Sequence, residues 1–173
     1  MMKIVLLTDT EKIKEGLRSL TNEFIEEYPY YSTWINKNKE TFQNGTRVVY
    51  ELNDNGKTVG YMMVHFSSNK YAKINGVYVF ADCQKKGYAK SAFLQVISEL
   101  KKRNLEYVYV QTRTHNNIVV HMFRSLNFYI IGKNYHNIEQ KYNWVAVYDL
   151  NGKKDFEEMK KLAEQIYPGF SEM

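Results

Sequence analysis

The spacing of hydrophobic residues divides the chain into alternating strands and helices. Apolar positions that repeat every three or four residues predict amphipathic helices, and alternating or β-branched apolar runs predict strands. The clearest helical pattern begins at Ala89 and continues through Phe93, Val96 and Leu100. The pattern predicts strands at residues 4–7, 46–52, 57–66, 74–80, 105–111, 128–131 and 142–150, and helices at residues 10–25, 89–100, 118–126 and 156–166, with a further short helix near Trp34.

Polar turn residues join several of these elements. The sequence Asn-Asp-Asn-Gly at residues 53–56 is typical of a β-hairpin turn, so residues 57–66 should pair antiparallel with the strand before them. Asp9 or Thr10 can cap the first helix, and the polar residues 114–117 can cap the helix that follows them. The elements therefore follow in the order strand, two helices, three strands, helix, strand, helix, two strands and helix.

Length, composition and charge are typical of a single soluble globular domain. The chain has 173 residues, of which 44% are hydrophobic and 25% are charged. The net charge of +5 suits an anionic ligand, but the charges are scattered, and a protein whose main partner is nucleic acid would be expected to cluster them. No signal peptide or membrane-spanning segment is visible, which predicts a cytoplasmic protein without a membrane partner.

The cysteine and histidine content predicts that the chain holds no metal. Cys83 is the only cysteine, which excludes an internal disulfide and a cysteine-rich metal site. The four histidines show no metal-ligand spacing with each other or with Cys83.

The most informative segment is Gln-Lys-Lys-Gly-Tyr-Ala at residues 84–89, which separates an apolar strand from the clearest helix. The first backbone N–H groups of a helix have no intrahelical partner, and the helix dipole adds partial positive charge at this end. Lys85, Lys86 and Lys90 add full positive charges beside them. This combination predicts a turn that binds a pyrophosphate.

The same segment resembles the phosphate-binding motif of the GNAT superfamily of acyl-CoA-dependent N-acetyltransferases. That motif is Arg/Gln-x-x-Gly-x-Gly/Ala, and its defined positions are matched by Gln84, Gly87 and Ala89. With the order of elements over residues 1–150, the resemblance implies an α/β fold with a mixed, mostly antiparallel sheet of about seven strands flanked by helices. In this fold a splayed pair of parallel strands holds CoA. Residues 151–173 would then form a C-terminal helical extension.

A second motif of the family is also matched in part. The family has an Asn, a Tyr seven residues later and an aromatic residue five residues further on, and Asn116, Phe123 and Phe128 follow this spacing. The resemblance implies an enzyme that transfers the acetyl group of acetyl-CoA to a primary amine of a small molecule or peptide by direct attack.

The resemblance further implies which residues contact acetyl-CoA. Backbone groups of the strand before the turn would hold the pantetheine arm, and an N–H near Val79 would face the thioester oxygen. The N–H groups of the turn would bind the pyrophosphate. Gly76 marks either a distortion of that strand or a packing contact. The implied cofactor-binding residues are Val77, Tyr78, Val79, Gln84, Lys85, Lys86, Gly87, Tyr88, Ala89, Lys90, Asn116 and Phe123.

The sequence lacks the proton-transferring groups that the family often uses. A carboxylate on the central strand often acts as the base, but the aligned positions hold Asn75 and Gly76. Phe123 stands where the usual acid, a tyrosine, would be. His65 and Tyr129 are weak candidate substitutes, and an ordinary strand histidine is the favoured interpretation of His65. The catalytic residues therefore stay open, and a non-catalytic acyl-CoA-binding or regulatory module with this fold is the alternative function.

The segment after the first helix is acidic and aromatic within an otherwise basic chain. In the GNAT fold this segment usually forms one wall of the acceptor cleft, which implies acceptor contacts from Glu27, Tyr30, Tyr31 and Trp34. Such a wall would attract a cationic amine, whereas the alternative is a solvated helix face with core aromatics. The C-terminal helix either covers the cleft, packs on the sheet or forms a homodimer contact, and the sequence does not choose among these.

Overall fold

Seven strands and six helices lie within residues 1–136 and 139–167, which are the residues that the computed structural model describes. The strands are β1 (Met2–Leu6), β2 (Arg47–Asp54), β3 (Lys57–Phe66), β4 (Tyr71–Val79), β5 (Tyr107–Arg113), β6 (Tyr129–His136) and β7 (Lys141–Asp149). The helices are α1 (Thr10–Phe24), α2 (Tyr31–Lys37), α3 (Lys39–Gln43), α4 (Tyr88–Lys102), α5 (Asn117–Ser125) and α6 (Phe156–Ile166). The predicted order is confirmed, with the short α3 as an addition.

The strands form one mixed sheet in the order β1-β2-β3-β4-β5-β7-β6, in which β4 and β5 are parallel. The pairs β1–β2, β2–β3, β5–β7 and β6–β7 are antiparallel. The predicted hairpin between β2 and β3 turns at Asn55 and Gly56, whose φ angles of 52° and 88° suit a two-residue loop. The predicted mixed sheet of about seven strands is therefore confirmed.

The chain divides into two compact units. The first contains Met1–Ser67 and Ile74–Val96, and the second contains Ser68–Lys73 and the residues from Ile97 onward. In the first unit α1 begins at a cap formed by Asp9, whose carboxylate accepts the N–H of Lys12 at 3.0 Å. The buried core of this unit joins α1 and α2 to the sheet through Leu7, Leu20, Tyr31, Val49, Tyr61 and Met63.

The second unit has its own apolar core, which includes the C-terminal helix. Met159 and Ala163 of α6 are fully buried against side chains of β5, β6 and β7. A capping box between Asp155 and Glu158 fixes the start of this helix. Of the three alternatives for the C-terminal helix, the structure thus shows packing on the sheet. The last part of the predicted extension, residues 168–173, lies outside the described residues.

Candidate functional site

The turn between β4 and α4 presents backbone N–H groups at a helix start. Lys85 and Gly87 have positive φ angles of 61° and 80°, and the carbonyl of Gly87 accepts the first helical hydrogen bond, from Ser91 at 3.0 Å. The N–H groups of the first helical turn therefore have no intrahelical acceptor. A Cβ added to Gly87 would meet no atom within 4 Å, so the space beside the turn is open. These features suit a bound phosphate.

The side chains of the turn take different directions. Gln84 donates from its side-chain amide to the carbonyl of Val79 at 3.1 Å, which ties the turn back to the end of β4. Lys85 and Lys90 are exposed, whereas Lys86 donates to the carbonyl of Asp82 at 3.2 Å. A role of these residues in binding the phosphates stays a prediction.

Tyr88 and Ala89 offer backbone rather than side-chain groups at the helix start. The hydroxyl of Tyr88 donates to the carboxylate of Asp54 at 2.6 Å, and this bond holds the pKa of Asp54 below its usual value. Ala89 is half-buried. A contact from either residue to a phosphate would run through its N–H group.

The end of β4 comes unusually close to β3 at Gly60. A Cβ at Gly60 would lie 2.1 Å from the carbonyl oxygen of Tyr78, so no larger residue fits there without moving backbone. The structure contains no cis peptide among its described residues, and in a trans peptide the carbonyl and the following N–H point in opposite directions. The N–H of Val79 therefore points away from Gly60. This is the N–H that the resemblance assigns to the thioester oxygen.

Gly76, three positions before the end of β4 at Val79, has a different neighbourhood. A Cβ at Gly76 would lie 2.9 Å from the ring edge of Phe24 and 3.3 Å from the hydroxyl oxygen of Tyr31. The absence of a side chain thus lets aromatic residues of α1 and α2 contact the strand. Of the two readings of Gly76, the structure supports the packing contact, and the close approach of two backbones occurs at Gly60.

The ring of Tyr31 is held on several sides in the first unit. It meets Phe24 edge-on at a centroid distance of 5.3 Å and stacks on Trp34 at 5.6 Å. The guanidinium of Arg47 lies 4.8 Å from the centre of the Trp34 ring and donates to Asn38 at 2.6 Å. Trp34 was predicted to attract a substrate cation, but its ring already makes a cation–π contact with Arg47 of the protein itself.

The other predicted acceptor residues differ in exposure. Tyr30 is 54% exposed, Glu27 is half-buried and Tyr31 is only 9% exposed. Burial, with a hydrogen bond to the nearby carboxylate of Glu23, raises the pKa of Tyr78 to about 12. Tyr78 on β4 therefore remains a neutral phenol at physiological pH.

In the second unit, Asn116 and Phe123 take structural positions on α5. The side-chain oxygen of Asn116 caps the helix by accepting the N–H of Val119 at 3.3 Å, which leaves the amide NH2 group for another acceptor. Phe123 is 1% exposed, and its ring lies 5.4 Å from that of Phe128. Phe123 is therefore a core residue and offers no proton.

Each of the two predicted catalytic substitutes, His65 and Tyr129, contacts residues of its own unit, and a catalytic role for either stays a prediction. Nδ1 of His65 lies 3.1 Å from the hydroxyl of Ser67 and 3.4 Å from the guanidinium of Arg47, which is the position of an ordinary strand histidine. The ring of Tyr129 meets that of Phe156 on α6 at 6.0 Å, so it packs on the C-terminal helix.

Two residues of this region were not predicted from the sequence. Gly60 gives a weak signal, because a glycine inside a strand often marks a close backbone approach. Arg47 gives none, since an arginine at the start of a strand is ordinarily solvated and its contact with Trp34 depends on the tertiary fold.

Comparison with known protein families identifies the chain. A family model described as the acetyltransferase (GNAT) family matches residues 13–128, which is more than half of the sequence. The chain belongs to the GNAT acetyltransferase family. It is an acetyltransferase that uses acetyl-CoA, as the resemblance implied. A search of curated protein sequences finds no significant match.

Solved structures share the fold at low sequence identity. A GNAT family acetyltransferase from Elizabethkingia anophelis with acetyl-CoA bound is 12% identical, with 86% of this chain and 97% of that chain covered at a TM-score of 0.66. The ribosomal-protein-S18-alanine N-acetyltransferase from Escherichia coli is 17% identical, with 90% and 97% covered and a TM-score of 0.66. The spermidine N-acetyltransferase from Vibrio cholerae, solved with CoA and spermine, is 12% identical, with 86% and 95% covered and a TM-score of 0.70.

The structure also bears on metals and membranes. Among residues 1–136 and 139–167, no three His, Cys, Asp or Glu side chains are grouped as a metal site would require. None of the helices in the described part of the chain has the length and apolar composition that a membrane-crossing helix needs.

Proposed function

We propose that the enzyme transfers the acetyl group of acetyl-CoA to a primary amine of a small molecule or peptide by direct attack. The observation that carries this proposal is the peptide between Tyr78 and Val79, whose N–H points away from β3. Such an N–H can stabilise the negative charge that grows on the thioester oxygen, and removal of one such donor typically lowers kcat by about 100- to 1000-fold.

The turn supplies the second part of the proposal. Its N–H groups and the exposed Lys85 and Lys90 would hold the pyrophosphate, and bound acetyl-CoA would supply the activated acetyl group. Hydrogen bonds and positive charges would hold the cofactor at its phosphate end, which is far from the reacting carbon. The binding energy of that end would then serve to orient the thioester.

Base assistance matters more than acid assistance in this reaction. Freeing an amine with a pKa of about 10.4 at pH 7 costs ~4–5 kcal/mol, whereas a thiol with a pKa of about 8.5 leaves as thiolate at a cost of only ~2 kcal/mol. The buried Phe123 at the usual acid position is thus compatible with transfer. The amine can lose its proton to solvent before it attacks.

The acceptor class follows from the residues near β4. Glu23, beside Tyr78, and Glu27 are acidic residues of the α1–α2 segment in a chain of net charge +5. This local acidity favours a cationic amine. The similar folds include a spermidine N-acetyltransferase and a ribosomal-protein-S18-alanine N-acetyltransferase, so both small polyamines and peptide amines should be tested. The prediction of a cytoplasmic reaction stays a prediction.

The test is an acetyl-transfer assay with acetyl-CoA and a panel of polyamines, lysine derivatives and peptides with free N-termini. We expect release of free thiol above the hydrolysis blank for at least one amine, with the acetylated product identified by mass spectrometry. Calorimetric binding of acetyl-CoA without transfer to any amine would refute the proposal and favour the acyl-CoA-binding module.

A further inference from the structure

The hydroxyl of Tyr31 is buried in the first unit without a hydrogen-bond partner among the described residues. Tyr31 is only 9% exposed, and burial raises the pKa of its phenol well above the usual value. A buried polar group without a partner destabilises a fold, so such groups call for an explanation. Phenylalanine would fill the same space without this cost.

The Tyr31 hydroxyl lies beside Gly76 of β4, close to the space that a side chain at this position would need. It lies 3.3 Å from the position that a Cβ of Gly76 would take. Gly76 is one of the two positions aligned with the carboxylate that family members often carry on the central strand. The missing side chain of β4 is thus replaced in space by a polar group from α2.

The surrounding residues hold the Tyr31 ring in this place. Phe24 packs edge-on, Trp34 stacks on the ring, and Arg47 lies over Trp34. Arg47 is itself fixed by hydrogen bonds of 2.6 Å to Asn38 and to Thr41. A rotamer locked by packing and hydrogen-bonded support is what a substrate-binding group requires.

We propose that the Tyr31 hydroxyl binds the attacking nitrogen of the acceptor amine and directs its lone pair at the thioester carbon. This inference rests on the proposed acetyl transfer. The amine arrives deprotonated, and its N–H donates to the phenolic oxygen of Tyr31. The new C–N bond forms, the C–S bond breaks, the thiolate of CoA leaves, and the extra proton on nitrogen passes to solvent.

Tyr31 does not act as the base in this step. Because burial disfavours its phenolate, the hydroxyl stays neutral and exchanges no proton with the substrate. Its contribution is orientation, which is lost when the oxygen is removed.

The test is Tyr31→Phe, which keeps the packed ring and deletes only the hydroxyl. We expect kcat/KM for the best acceptor to fall about three- to tenfold, as loss of one neutral hydrogen bond to substrate predicts. The affinity for acetyl-CoA should be unchanged, and the Tm should be unchanged or higher. Binding of the same acceptor to the CoA-loaded protein, measured by calorimetry, should weaken.

The matched control is Tyr107→Phe, which deletes a hydroxyl from the core of the second unit, where Tyr107 is 4% exposed. This variant should retain wild-type kcat/KM. The inference is overturned if Tyr31→Phe transfers acetyl groups at the wild-type rate. The inference is also overturned if the activity of Tyr31→Phe falls only together with its Tm or its affinity for acetyl-CoA, because that result would indicate a structural role. A wild-type enzyme that acetylates no amine would instead refute the proposed function.

Discussion

Two glycines of the sheet show how single residues shape the site. A Cβ on Gly60 of β3 would meet a backbone carbonyl at 2.1 Å, whereas a Cβ on Gly76 of β4 would meet aromatic side chains at 2.9 Å and 3.3 Å. Side-chain atoms can shift by a few tenths of an ångström at little cost, whereas the carbonyl of Tyr78 can move only with β4. The two positions should therefore differ sharply in their tolerance of a methyl group.

We expect Gly60→Ala to destabilise the protein by about 1–3 kcal/mol through overpacking. Because the new Cβ would meet the Tyr78 carbonyl at 2.1 Å, the peptide that carries the Val79 N–H must turn or shift. Acetyl transfer should then fall by more than the loss of stability explains. Urea unfolding and steady-state kinetics measure the two effects.

Gly76→Ala is the matched comparison for Gly60→Ala. It adds the same methyl group, but against Phe24 and Tyr31 side chains. We expect the smaller loss of stability here. Equal tolerance of alanine at both positions would show that the backbone contact at Gly60 does not constrain β4.

The sequence indicates features that depend on neighbouring residues, but it does not indicate contacts between distant segments of the chain. The turn at residues 84–89 is visible because its glycine, its lysines and the following helix are contiguous. The contact of Gly60 with Tyr78 joins residues on two strands, and that of Tyr31 with Gly76 joins a helix to a strand. No periodicity in the chain encodes either contact.

Strands and helices were predicted well where the hydrophobic period and the turn or capping residues indicated the same element. The boundaries of β3 and the cap of α5 by Asn116 follow from a hairpin turn and a polar cap placed beside regular apolar patterns. The five-residue helix α3 (Lys39–Gln43) is too short to show a helical period and was missed. Its Thr41 hydroxyl binds Arg47, so its position is fixed by tertiary contacts.

The connection from β7 to α6 depends on one carboxylate. Asp149 is 8% exposed and accepts the N–H groups of Asn151 at 3.0 Å, Lys153 at 2.5 Å and Lys154 at 2.6 Å. Burial alone would raise the pKa of Asp149. The three backbone hydrogen bonds and the charge of Lys154 outweigh burial, so the pKa lies below its usual value of 3.8.

We therefore expect Asp149→Asn to lower stability at pH 7 by about 1–3 kcal/mol, because an amide replaces one accepting oxygen by a donor. A depressed carboxyl pKa contributes stability above the unfolded-state pKa, and this stability is lost as the pH falls through the folded-state pKa. The difference in the free energy of unfolding between wild type and variant should thus be largest at pH 5–7 and should decrease below about pH 4. Urea unfolding across this range measures it.

Glu164→Gln is the control for the Asp149 variant. Glu164 is exposed on α6, so the same change of charge should leave stability within about 0.5 kcal/mol of wild type. If the free energies of unfolding of Asp149→Asn and wild type differ as much at pH 3 as at pH 7, stability does not depend on the ionisation of Asp149.

At the scale of the whole molecule, a net positive charge accompanies the proposed phosphate-binding turn. The net charge of +5 favours the approach of an anion such as CoA, and in the proposed complex the turn before α4 would hold its phosphates by direct contact. At about 0.1 M salt, charges more than ~10 Å apart are largely screened. Salt should therefore weaken the binding of the phosphate end and leave the binding of the pantetheine arm nearly unchanged.

We expect the affinity for CoA to fall as KCl is raised from about 0.05 to 0.5 M, and the affinity for pantetheine, which lacks the pyrophosphate, to stay nearly constant.

Lys85→Gln should weaken CoA binding about two- to fivefold at low salt, as one exposed charge pair predicts, and should not affect pantetheine. Lys39→Gln, which removes an exposed charge from α3, is the matched control and should bind CoA as wild type does. Calorimetry with both ligands measures these affinities. If CoA and pantetheine share one salt dependence, charge does not contribute to binding of the phosphates. If Lys39→Gln weakens CoA as much as Lys85→Gln, the phosphates are held by the general charge of the protein and not by this turn.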